Sequence, residues 1–205
     1  MIVDHDARAT LENGSASLRS DVYALLAALL AGPPGAGRLI QLGDLDYLPD
    51  IPASLGLAMG ELKAAARRTE PAAAQREDNA LFGGVGREGI RPYASGYEEG
   101  VLMGTALARL RWDLAVLNIR RRETCEPEDH AAALCESMLL IIADPRVGAE
   151  KEAAFFRIHL APWMTAFFRD LQTAPSAVFY RVVGRLGEVF MELEKDLVTG
   201  RPKEE

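Results

Sequence analysis

The residues best equipped for chemistry fall in three short stretches. Glu126-Pro127-Glu128-Asp129-His130 sets carboxylates beside an imidazole, Pro92-Tyr93-Ala94-Ser95-Gly96-Tyr97 places a hydroxyl between two phenols, and His159-Leu160-Ala161-Pro162-Trp163 adds a second imidazole beside an indole. Carboxylates next to a histidine could serve acid–base catalysis or metal ligation. They could equally receive guanidinium groups through charge-assisted, bidentate hydrogen bonds.

Catalysis and metal binding find little support in the spacing. A hydrolase needs a nucleophile, a base and an orienting acid. Ser95, His130 and Asp129 could be nominated, but Ser95 lacks the Gly-x-Ser-x-Gly elbow, and side chains at adjacent helical positions diverge. A metal site could draw on His130, His159, Cys125 and Cys135, yet no Cys-x-x-Cys, His-Glu-x-x-His or paired-carboxylate spacing joins them. The two cysteines read as one buried packing residue and one connector residue. Gly84-Val85-Gly86-Arg87-Glu88-Gly89 matches a dinucleotide fingerprint in letters, but the fingerprint works only between a strand and a helix. Here a helix precedes it, so the segment reads as a tight or mobile loop.

Part of the acidic stretch has an ordinary structural reading. Pro127 suits a first helical turn, and Glu126 and Glu128 would complement the positive end of the helix dipole. His130 does not fit that reading, because its cation is disfavoured there unless a carboxylate holds it. Tyr93 and Tyr97 sit in a loop, where large rings more often meet a partner than a core.

The elements that must position these residues are all helical. Residues 1–14 read as a polar lead-in, and Ser15 or Ser17 is expected to cap a helix that ends at Gly32-Pro33-Pro34-Gly35. A short helix and loop fill 37–52, a helix fits 53–69, and another starts at Pro71 and reaches Phe82. Residues 83–96 read as a long functional loop. Met103, Leu107, Leu110, Leu114 and Leu117 repeat at helical spacing within 97–119. Residues 120–126 form a charged connector and a candidate hinge between subregions 15–119 and 127–199 of one domain. Helices are expected over 127–143, 150–160, 162–171 and 176–198. Trp163, Phe155, Phe156, Phe167 and Phe168 supply core, although Phe156 or Phe168 is expected to face outward, and His159 is expected to cap the preceding helix. No segment alternates with period two. The fold class is all-α, with about eight to ten helices.

With 205 residues, 49% of them hydrophobic and 26% charged, the chain supports one domain with a substantial core. A net charge of −7 argues against nucleic acid or an anionic membrane and favours a cationic partner. The start of the chain has no signal-peptide pattern, the longest apolar run is too short for a bilayer, and two cysteines make no disulfide framework. A cytoplasmic protein is expected.

Taken together, Leu81-Phe82-x-Gly84, Pro92-Tyr93-x-Ser95-x-Tyr97, Glu126-Pro127-Glu128-Asp129-His130 and His159-Leu160-x-Pro162-Trp163 resemble, in order and separation, the TorD/DmsD family of cytoplasmic molybdoenzyme chaperones. The resemblance spans about residues 18–197. It implies a protein without catalytic activity or a cofactor of its own. Such a protein binds the twin-arginine signal peptide of a molybdopterin-containing oxidoreductase and holds the apoenzyme until cofactor insertion. It also implies a peptide-binding surface of Leu81, Phe82, Pro92, Tyr93, Ser95, Tyr97, Glu126, Asp129 and His130. Where some relatives carry Trp in the loop, this chain has Tyr93 and Tyr97. The alternative is a small helical hydrolase using His130, and the oligomeric state, monomer or dimer, stays open.

Overall fold

Among the described residues ten helices follow the apolar stripes of the sequence, with three informative departures. The computed structural model describes residues 5–45, 51–83, 89–100, 102–120 and 126–199, with side chains described from residue 16 to 198. In chain order the helices are α1 (His5–Leu30), α2 (Ala36–Gly43), α3 (Ala53–Ala66), α4 (Pro71–Phe82), α5 (Ala94–Glu99), α6 (Thr105–Val116), α7 (Ala131–Ala143), α8 (Ala149–His159), α9 (Met164–Thr173) and α10 (Phe179–Thr199). The described residues contain no strand, only an isolated antiparallel bridge between Tyr93 and His130. The connector expected at 120–126 lies largely in residues 121–125, outside the described residues.

The first departure is at the start: α1 begins at His5, not at Ser15 or Ser17. Ala7, Arg8, Ala9, Leu11 and Glu12 are good helix formers, and no proline interrupts them before Pro33. The second is the expected helix over 97–119, which splits into α5 and α6. Gly100 at φ 71° and Met103 at φ 62° turn the chain left-handed between them. The Glu99 carboxylate then caps α6, accepting from the Thr105 N–H at 2.9 Å, the Thr105 hydroxyl at 2.7 Å and the Ala106 N–H. Met103 is consequently exposed rather than part of the inward stripe. The third is α7, which starts after His130, so Pro127 precedes the helix instead of opening it.

The core is one cluster drawn from α1 through α10. α1 packs along α7, and α10 packs along both α9 and α3. Phe156 and Phe168 are both buried, because α8 and α9 are covered on more than one side and need no outward aromatic. α10 reaches α9 closely through glycine: a Cβ on Gly187 would strike the Phe168 ring, and one on Gly184 would meet the Phe168 carbonyl at 2.6 Å.

Two buried carboxylates fix the helices against one another. Glu194 on α10 accepts from Arg19 Nε at 2.6 Å, Arg19 Nη2 at 2.8 Å and the Tyr23 hydroxyl at 2.8 Å, tying α10 to α1. Burial works against the Arg19 charge, but Glu194 and Glu152 outweigh it and raise the guanidinium's pKa. Glu77 on α4 accepts the N–H groups of Val178, Phe179 and Tyr180 at 2.8, 3.0 and 2.7 Å, which sets α4 against the start of α10. His159 is not a helix cap. Its Nε2 lies 2.7 Å from Asp113 Oδ2, and its carbonyl accepts from Trp163 Nε1 at 2.9 Å.

These contacts set measurable costs. Gly187→Ala should lower unfolding free energy by about 1–3 kcal/mol through overpacking, read from denaturant midpoints. A Gly187→Ala variant as stable as wild type would contradict the close α9–α10 approach. Burial lowers the pKa of His159 despite the Asp113 contact. The folded state therefore holds fewer protons there than the unfolded chain, whose histidine titrates near about 6.5. Stability should fall as pH drops below that value, and less steeply in His159→Gln. Identical melting-temperature profiles from pH 8 to 5 would count against it.

Candidate functional site

The loop expected to reach residue 96 ends at Tyr93, because α5 begins at Ala94 and carries Ser95 and Tyr97; residues 89–93 and the first turn of α5 take their position from the start of α7. The Ala131 N–H donates to the Pro92 carbonyl at 2.8 Å, and the Ala94 N–H donates to the Asp129 carbonyl at 3.0 Å. The Asp129 carboxylate, only 1% exposed, reaches across. Its Oδ2 accepts from the Ser95 N–H at 3.0 Å and the Ser95 hydroxyl at 2.6 Å. Ser95 Oγ in turn accepts the Met103 N–H at 3.3 Å. Asp129 Oδ1 has no hydrogen-bond partner among the described residues.

His130 is the N-cap of α7: its Nδ1 accepts the Ala132 N–H at 3.2 Å. That leaves Nδ1 as an acceptor and the ring without a proton on that atom. An imidazole cap also resolves the sequence puzzle, since a neutral acceptor suits the positive end of a helix where an imidazolium does not. The Tyr93 ring meets the His130 ring edge-on at 5.1 Å, and the Tyr93 hydroxyl donates to Glu126 Oε2. Burial first, and then Glu126, raises the phenol's pKa, so it stays a donor.

These groups open onto a groove of about 620 Å³ between α4, α7 and loop 89–93. Of the nine residues expected at the surface, Phe82, Pro92, Tyr93, Glu126 and His130 line it. Leu81, Ser95 and Asp129 are buried and act behind it: Leu81 in the core, the other two as the loop's clamp. Tyr97 points elsewhere. Its ring packs at 5.4 Å from that of Trp163, and its hydroxyl donates to Asp170 Oδ2 at 2.6 Å on a second groove. Because Ser95 is fully buried and bound to Asp129, and His130 Nδ1 is committed to the Ala132 N–H, these three residues do not assemble into a nucleophile–base–acid relay.

The groove also contains residues that the sequence reading did not single out. Asp78 and Glu136 add carboxylates, and Ile119 and Leu140 add apolar wall. Asp78 lies four residues before Phe82 on α4, and Glu136 lies four before Leu140 on α7. That i,i+4 spacing was the available signal. Asp78 accepts from the Tyr180 hydroxyl at 2.9 Å, and its pKa is raised, chiefly by burial. Among the described residues, no three His, Cys, Asp or Glu side chains converge as a metal site would require.

Residues 48–169, more than half of the chain, match the nitrate reductase delta subunit family. The chain belongs to that family. The nitrate reductase delta subunit (TorD/NarJ) family comprises chaperones of molybdoenzyme maturation, and that coarse role holds here. The fold agrees with the crystal structure of an Archaeoglobus fulgidus protein named for redox enzyme maturation. The two are 19% identical, with a TM-score of 0.57, over 85% of this chain and 94% of that one. Comparison with curated protein sequences returns no match. No described helix of this delta-subunit relative is long and apolar enough to cross a membrane.

The double use of His130 can be separated. His130→Ala should cost about 1 kcal/mol of stability through loss of the cap, whereas His130→Asn, itself a strong cap, should retain it. Equal destabilisation of both variants in thermal or denaturant unfolding would contradict the capping assignment.

Proposed function

We propose that this chain binds the twin-arginine signal peptide of a molybdopterin-containing oxidoreductase in the 620 Å³ groove. It holds the apoenzyme until cofactor insertion, in the cytoplasm and without catalysis of its own. The observation that carries this reading is the convergence of Asp78, Glu126 and Glu136 with Phe82, Tyr93 and Leu140 around one groove. Carboxylates accept guanidinium N–H groups in pairs, and aromatic rings stack on guanidinium planes or cover apolar side chains. A twin-arginine peptide presents both needs in sequence, two guanidiniums followed by an apolar run.

Each residue then has a task. Glu126, oriented by the Tyr93 hydroxyl, sets its carboxylate against the guanidiniums of the peptide. Asp78 and Glu136 face it from α4 and α7, and Phe82 and Leu140 cover the apolar segment. Asp129 and Ser95 bind nothing themselves but hold Tyr93 in register. A neutral His130 presents its edge to the groove, whereas a protonated one would oppose a dicationic ligand and lose its cap.

Isothermal titration of the whole protein against a twin-arginine signal peptide and its twin-lysine counterpart tests the reading. Lysine offers a point charge without the planar fork, so binding should weaken by about tenfold or more, and Glu126→Gln should weaken the arginine peptide by a similar factor. Equal affinity for the two peptides, or wild-type binding by Glu126→Gln, would contradict it.

A further inference from the structure

Two grooves meet at one short segment. The acid-lined groove lies on one side of Ile90-Arg91, and on the other lies a second groove of about 1060 Å³, walled by Tyr97, Asp170 and Ala174. Among the described residues, Ile90 and Arg91 are the ones that line both. A peptide leaving the first groove toward the second passes over Arg91.

Arg91 does not belong in a simple sink for cations. It is exposed, and among the described residues its guanidinium makes no hydrogen bond or ion pair, although Asp78, Glu126 and Glu136 line the same groove. Elsewhere on the surface Arg111, Arg146 and Arg169 each pair with a nearby carboxylate. Arg120 also lines the acidic groove, so among the described residues its walls hold three carboxylates against two guanidiniums. A polycation entering this groove meets repulsion at its rim. A ligand with an anion at the right distance from its cations meets attraction at both places. Complementary placement of this kind sets specificity more than it sets affinity.

We propose that Arg91 makes the groove select a dipolar peptide: a pair of arginines with a carboxylate-bearing residue a few positions to one side, where the chain crosses from one groove to the other. The inference rests on the peptide-binding reading above and adds to it which arginine-bearing peptides are preferred. Client choice then depends on an acid outside the arginine pair, and Arg91 is the residue that reads it. Peptides that are merely more basic bind less well, not better.

Titration of the whole protein at low salt tests this with four versions of one twin-arginine peptide. Aspartate is placed three residues before the pair or three residues after it, and asparagine at the same positions supplies controls. For wild type, one of the two placements should bind about three- to five-fold tighter than its asparagine control, the range of a single exposed ion pair. The ratio should fall to one in Arg91→Gln, invert in Arg91→Glu, and shrink as salt is raised. Removing the guanidinium should also tighten the asparagine peptides, because a repulsion is gone. If the asparagine peptides bind wild type but neither aspartate placement improves on them, or if the preference survives in Arg91→Gln, this inference is overturned and the peptide reading stands. If no peptide binds, both fall.

Discussion

Most of the site depends on one buried carboxylate. Asp129 lies at the turn into α7 and accepts both the backbone N–H and the hydroxyl of Ser95, while its own carbonyl takes the Ala94 N–H. The irregular segment 89–93 and the first residues of α5 have backbone groups that no regular element satisfies. The start of a helix has the matching deficit, N–H groups without partners. The two deficits cancel where Pro92 accepts from Ala131, and the Tyr93–His130 bridge records that pairing. Loop and helix start are thereby held in one arrangement, which places the Tyr93 hydroxyl on Glu126 and the His130 ring beside Tyr93.

The opposite wall of the groove inherits its position from the end of the chain. Glu77 accepts three N–H groups at the start of α10, and the adjacent Asp78 receives the Tyr180 hydroxyl. α10 is in turn held to α9 by the bare backbone of Gly184 and Gly187, and to α1 by Glu194 with Arg19. Carboxylates here therefore divide into two kinds. Glu77, Asp129 and Glu194 are buried and held by protein donors, Asp129 through Oδ2 alone, whereas Glu126 and Glu136 are exposed in the groove. The first kind sets geometry; the second kind faces the groove.

Helices were legible in the sequence wherever an apolar stripe ran between strong stops. α4, from Pro71 to Phe82, is the clearest case, and α2, α3 and α8 to α10 follow within a few residues. The break between α5 and α6 was hidden because Leu107, Leu110 and Leu114 keep their period after it, while its cause is local: Gly100, Met103 and a cap from Glu99. The family resemblance came from Leu81-Phe82-x-Gly84, Pro92-Tyr93-x-Ser95-x-Tyr97, the Glu126–His130 segment and His159-Leu160-x-Pro162-Trp163, and the match over residues 48–169 shows the family. What spacing could not convey was the direction of side chains at a helix start. The side chains of adjacent Asp129 and His130 were expected to diverge, but not where each would go: one points into the protein, and the other caps the helix and edges the groove. Asp78 and Glu136 needed the packing of α4 against α7 and the loop before they could be placed on one surface.

The central claim is that a clamped loop and α7 present one peptide-binding face, and amide hydrogen exchange tests it most directly. Exchange would be followed on the whole protein with and without a saturating twin-arginine signal peptide. The account predicts added protection concentrated in residues 78–82, 91–97 and 126–140, with the exposed face of α6 around Trp112 unchanged. Protection centred on α6, or on α2 and α3 with none at 91–97, would contradict it.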